Sequence, residues 1–195
     1  RVSSLFVDDI RIAGEPAESP AVVVTNTLLV DGFEEENGKL NSLDGWSDFW
    51  ADASSTAGLI PDDEAAAAVG ERGGILFYSN AVAEALPCKY YTVIADDWPY
   101  ADLSAKPFYL RFRLKAAGGT PSIDSLILEG GSTAVYGRVS FAACNAGSLG
   151  VDPTWLEYSI PLTNFLADTG GGFSLANVHL FGMTMVSTSS VGYTS

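Results

Sequence analysis

At 195 residues with 47% hydrophobic side chains, the chain is long enough to fill one sandwich or barrel core and too short for two. Ten basic residues stand against 24 acidic ones, a formal charge of −14 that repels nucleic acid and anionic lipid and suits calcium, basic partners or solubility in salty surroundings. Nucleic acid is therefore not an expected partner, and since no run approaches about eighteen apolar residues, no segment is expected to span a membrane.

Along the chain, short runs rich in Val, Ile, Leu, Phe and Tyr alternate with Gly, Pro, Asn and Asp. They predict strands near 4–12, 21–31, 47–52, 74–79, 88–95, 107–116, 123–129, 134–142, 155–161 and 175–187, and so an all-β fold, an antiparallel sandwich. The first, "LFVDDIRI", places Phe6, Ile10 and Ile12 with Asp8 on one face by simple alternation, and Leu5, Val7, Asp9 and Arg11 on the other. The next segment, "AGEPAESP" (13–20), holds two prolines and only small or acidic residues beside them, which suits a stiff linker. In "DDEAAAAVGERGG", Asp62 and Asp63 are placed to cap a short helical turn that Gly70 ends. In "FYLRFRLKA", Tyr109, Arg111, Arg113 and Lys115 alternate with Phe108, Leu110, Phe112 and Leu114, as in a half-buried antiparallel strand.

Two stretches resemble the β-jelly-roll carbohydrate-binding modules of the galactose-binding-like kind. "LLVDGFEEENGKLNSLDGW" (28–46) looks like their opening strand, with a Phe-Glu pair and a polar excursion to a Trp; "PTWLEYSIPLTNFL" followed by "FSLANVHLFGM" looks like their closing half. In such modules the final strand commonly reads like "FVDDIRI", which here stands at the other end of the sequence. The resemblance implies a jelly roll over 21–195, a donor strand over 1–12 and a linker over 13–20. A sandwich without its last strand exposes unpaired backbone and apolar side chains, and burying Phe6, Ile10 and Ile12 offsets that by roughly 5 to 9 kcal/mol before ordering costs.

Three arrangements supply the strand: closure in its own chain, insertion into a neighbouring subunit by β-strand addition, or a longer tandem protein of which this is a slice. Tight hairpins use two to five residues with Gly or Asn. Eight residues with Pro16 and Pro20 instead reach about 27 Å extended, the span of a tether between bodies. Insertion into a neighbour is the arrangement this favours, and repeated head to tail it builds an open filament.

The resemblance also implies a structural calcium, held by Glu34 of the Phe-Glu pair and one of Asp8 or Asp9, with Asp31 or Glu35 as additions toward the six to eight oxygens calcium takes. The alternative reading makes these acids solvent-facing edge residues. Stacking platforms for sugar are offered by Trp46, Trp98, Tyr100 and Trp155, residue types that equally anchor cores and interfaces. Cys88 and Cys144 fit neither a CxxC pair nor a zinc cluster; one disulfide closing more than fifty residues is expected, worth roughly 4 kcal/mol, with two buried thiols as the alternative. A disulfide, an acidic surface and sparse lysine suit an extracellular site. The sequence has no initiator Met, signal peptide or N-x-S/T sequon, so a processed form or an excerpt is expected, with O-linked rather than N-linked sugar.

No GxSxG, P-loop or HExxH occurs, and the single histidine, His179, lies in an apolar run with no evident triad, so no catalytic residue is expected. The sequence is thus read as a structural subunit of an extracellular filament joined head to tail by its N-terminal strand. The alternative is a non-catalytic carbohydrate-binding module with that strand closed in cis and polysaccharide as partner.

Overall fold

The computed structural model describes residues 3–14, 27–34, 40–51, 55–80, 87–95, 100–104, 108–118, 123–131, 135–144, 150–151, 154–168 and 171–186. In chain order the strands are β1 (Ser3–Gly14), β2 (Thr27–Asp31), β3 (Ser47–Ala51), β4 (Ser55–Asp63), β5 (Gly73–Asn80), β6 (Pro87–Val93), β7 (Phe108–Gly118), β8 (Ile123–Gly130), β9 (Tyr136–Ser140), β10 (Gly150–Val151), β11 (Leu156–Pro161), β12 (Leu166–Ala167) and β13 (Val178–Val186). Two sheets pack as an all-β sandwich, the expected fold class. One runs β10-β7-β1-β5-β4, with β11 also on β7 and β2 also on β1; the other runs β12-β9-β8-β13-β6-β3. All pairings are antiparallel except that of β10 with β7. No helix among the described residues is long and apolar enough to cross a membrane.

Alternation does in β7 what the sequence predicts: Leu110, Phe112 and Leu114 are fully buried, while Tyr109, Arg111 and Arg113 stay half-exposed on the outer side. The Phe112 ring stacks on Tyr158 of β11 at 5.2 Å and meets Phe181 of β13 at 5.8 Å, joining the sheets through aromatic contacts. Phe141, on the 3-10 turn Phe141–Ala143, closes on Tyr158 from the side at 5.2 Å.

The strand at the start of the sequence lies at the centre of the first sheet. β1 pairs with β7 from Ser4 to Gly14, with β5 from Ser3 to Val7 and with β2 from Ile10 to Ala13. Its facing differs from simple alternation. The β1–β7 register shifts between Asp8 and Arg11, and Asp9 takes φ 57°, a β-bulge that inserts one residue and reverses the phase of everything after it. Leu5 and Val7 before the bulge and Ile10 and Ile12 after it therefore all face the core, each no more than 1% exposed. Phe6, Asp8 and Arg11 share the outer side, paired with Lys115, Arg113 and Arg111. Asp is one of the few residues that tolerates such a φ, which explains the second Asp of the "DD" pair. β1 also continues through Ala13 and Gly14, into the first two residues of the expected linker; residues 15–20 lie outside the described residues.

Three other expectations change. The segment before Glu64 is an edge strand, β4, missed because Gly58 and Pro61 argue against a strand; on an edge, Pro61 leaves no partner unsatisfied, and the Phe77 ring covers Gly58 in place of a side chain. The expected helical turn shrinks to one 3-10 turn, Glu64–Ala66. Cys144 is a free buried thiol whose Sγ donates to the Ser140 carbonyl at 3.4 Å, so the Cys88–Cys144 disulfide is not formed. β13 and β8 separate β6, which carries Cys88, from β9, which leads to Cys144. The Cys88 side chain lies outside the described residues.

Burying the four core side chains of β1 is worth roughly 6 to 12 kcal/mol as an upper bound, comparable with a domain's whole net stability. Leu5→Ala is expected to cost about 2 to 5 kcal/mol in a denaturant titration; a loss below about 1 kcal/mol would place Leu5 on the outer side, as unbroken alternation has it.

Candidate functional site

The outer side of β1 meets the loop between β4 and β5 at an acid pair. Asp8 is 1% exposed. Its Oδ2 accepts the backbone N–H groups of Ala68 at 2.7 Å and Val69 at 2.8 Å, while Oδ1 is buried with no hydrogen-bond partner. Two residues further along the same loop, the Glu71 N–H donates to both Glu34 oxygens at 3.0–3.1 Å and the Arg72 N–H reaches Oε1 at 3.4 Å. Gly70 makes this approach possible: its φ is +72°, and any Cβ there would collide with the Glu34 carboxylate.

Local sequence explains how Glu34 gets there. Phe33 sits at φ 55°, a costly conformation for a bulky residue. Its N–H donates to Asp31 Oδ1 at 3.1 Å, and the buried ring lies against the face of Gly74, where no side chain intervenes. Anchoring Phe33 in the core turns the next residue outward, so the Phe-Glu pair works as a buried plug and a projecting carboxylate.

Burial pushes the Asp8 carboxyl up from 3.8 to about 6; the Val69 and Ala68 N–H groups pull it down, and the nearby Glu34 charge pushes it up again. At neutral pH a mostly ionised, buried carboxylate thus has one unsatisfied oxygen, a second acid nearby that raises its pKa and Arg113 opposite it in the ladder that lowers it. Of the five candidate metal ligands, the structure brings together Asp8 and Glu34. Asp9 is turned away by the bulge and pairs with Arg11. Asp31 is committed to Phe33 N–H and to the Ser47 hydroxyl, which donates to Oδ2 at 2.6 Å. Glu35 lies outside the described residues. Among the described residues no three His, Cys, Asp or Glu converge as a metal site.

The candidate sugar platforms are split between the sheets. Trp46, just before the edge strand β3, is 56% exposed, and Trp50 within β3, not among the candidates, is 53% exposed. Trp155, near β11, packs on Phe6 at 6.3 Å, with the Lys115 ammonium 4.8 Å from the Phe6 ring and 5.0 Å from the Trp155 ring. Tyr100 stacks on His179 at 4.6 Å, and His179 Nδ1 lies 3.4 Å from Glu129 Oε1. Trp98 lies outside the described residues. Sequence reasoning missed the contribution of the 68–72 backbone; the only signal for it was the glycine-rich "GERGG". No family model, no curated protein and no solved structure matches the chain.

The raised Asp8 carboxyl has a pH signature. The folded chain holds this proton more tightly than the unfolded chain, so the stability it contributes is fully present below 3.8 and is lost as pH rises through about 6. That amounts to about 3 kcal/mol in metal-free protein. Asp8→Asn is expected to remove this part of the pH dependence of chemical denaturation; an identical slope in the variant would contradict it.

Proposed function

We propose that this protein is a structural subunit of an extracellular filament that polymerises by inserting β1 into the open sandwich of a neighbouring subunit. One observation carries the reading: β1 is hydrogen-bonded on both sides and closes the core with four buried side chains, yet only the twelve residues 15–26 join it to β2. Hairpin turns need two to five. Twelve residues reach about 40 Å, enough to seat the strand either in its own slot, as in this structure, or in the same slot of a neighbour. The contacts are identical in the two cases, so exchange costs little beyond association entropy, and head-to-tail exchange propagates.

The acid pair supports a regulated joint. Asp8 belongs to β1 and Glu34 to the body of the domain, so calcium held by the two would bind inserted strand to host. Bound there, the ion would add to the positive charge that Arg113 already places opposite Asp8. The residues fit that role in part: two carboxylates, one with an unsatisfied oxygen.

A second reading, a non-catalytic carbohydrate-binding module closed in cis, is favoured by the exposure of Trp46 and Trp50 along one edge. Imaging separates the two: purified protein forming long threads supports the filament, whereas a 20.5 kDa monomer retained by polysaccharide supports the module.

A synthetic peptide of the Arg1–Gly14 sequence, added in excess, is expected to occupy open slots and stop thread growth; threads that lengthen at the usual rate would contradict strand exchange. Calcium is expected to raise the melting temperature of the wild type and leave that of Asp8→Asn unchanged. Equal shifts in both would remove Asp8 from the ion site.

A further inference from the structure

We propose that the outer face of the seven-stranded sheet, centred on Arg111, docks a carboxylate-bearing surface of a second copy of this chain. The proposal rests on the self-assembly reading above and adds a contact that does not use the exchanged strand.

Charge is distributed unevenly. Four of the ten basic residues, Arg11, Arg111, Arg113 and Lys115, lie on the outer side of the adjacent strands β1 and β7. The acids beside them are Asp8, Asp9, Glu34 and Glu157, which leaves six basic residues to 20 acidic ones over the rest of the chain. One face is therefore close to neutral on a body whose remainder is strongly negative, and its cations Arg11, Arg111 and Arg113 are partly exposed while Lys115 is buried.

Within the face the charges are not all neutralised. Asp9 pairs with Arg11, and Glu157 of β11 pairs with Arg113 at 2.9 Å. Arg111 sits directly opposite Arg11 and two residues from Arg113, and among the described residues its guanidinium lies 5.9 Å from the Tyr109 ring rather than on a carboxylate. Like charges directly across a ladder are destabilising. Burial first, then Arg113 and Arg111, pulls the Arg11 guanidinium below its ordinary value, with Glu157 and Asp8 opposing them. A carboxylate laid across Arg111 and Arg11 would relieve this repulsion through charge-assisted hydrogen bonds.

Composition points to a protein surface as the occupant. Arginine and tyrosine are enriched at interface centres, and Leu29, paired with Arg11 on the neighbouring β2, is 40% exposed at the margin of the cluster. Like-charged subunits repel least where the negative charge is relieved, and beside Arg111 is where an acidic copy can approach.

The test is self-association of the full chain by sedimentation velocity, with Arg111→Glu and Arg111→Lys beside the wild type. Wild-type association is expected to weaken as NaCl rises, Arg111→Glu to weaken it about tenfold or more, and Arg111→Lys to keep most of it. Because Arg111 points outward, circular dichroism should be the same for all three. Salt-independent association, or Arg111→Glu assembling like the wild type, would overturn the proposal. Arg111-dependent retention on a polyuronate column with unchanged self-association would reassign the face to polysaccharide and overturn it too. If the β1 peptide blocks assembly while Arg111→Glu does not, this face fails and strand exchange stands. The reverse pattern supports the face and removes strand exchange.

Discussion

The structure depends on a single filled slot. Remove β1 and the edges of β5 and β7 lose their hydrogen-bond partners together, while the core loses Leu5, Val7, Ile10 and Ile12 at one stroke. An interior backbone edge left unpaired is costly and sticky, so the body of the domain and its first strand have to be considered as two complementary parts. That they meet within one chain here follows from a connection long enough to fold back; the same length serves equally to reach outward.

The bulge at Asp8–Arg11 sets the electrostatics. Without the extra residue, Ile10 and Ile12 would face outward and Asp9 inward. With it, the strand buries four aliphatic side chains and presents Phe6, Asp8 and Arg11 on the other side. Asp8, before the bulge, meets the 68–72 loop by plain alternation, whereas Arg11 is brought opposite Arg111 by the bulge. The cluster of Arg11 and Arg111 is thus a consequence of one inserted residue, and the acid pair is not.

Much of the fold could be read from the sequence where a single rule operated. β7 alternates as expected from Tyr109 to Leu114, while Phe108 is only partly buried and Lys115, expected outside, is buried between Phe6 and Trp155. β1 could be recognised as a strand but not oriented, because a bulge leaves no mark in hydrophobic alternation beyond a doubled Asp. β4 was hidden by Gly58 and Pro61, whose usual meaning is overridden at a sheet edge. Of the site, Glu34 and Asp8 were readable through the resemblance of their surroundings to a known pattern. The choice among Asp8, Asp9 and Asp31 was not, since it depends on which carboxylate the bulge, Arg11 and Ser47 claim. The backbone N–H groups that hold both acids have no side-chain signature at all.

Which chain fills the slot during assembly can be read from a cross-link. Phe6→Cys and Lys115→Cys, at paired positions of β1 and β7, can be joined by oxidation in a chain whose native cysteines are replaced by serine. Threads grown from an equal mixture of light and nitrogen-15-labelled subunits are then cross-linked and weighed by mass spectrometry. Strand exchange predicts that about half of the peptide pairs linked between positions 6 and 115 join a light to a heavy partner, as random pairing between chains requires; pairs of uniform label throughout would show that each slot is filled by its own strand and contradict the claim.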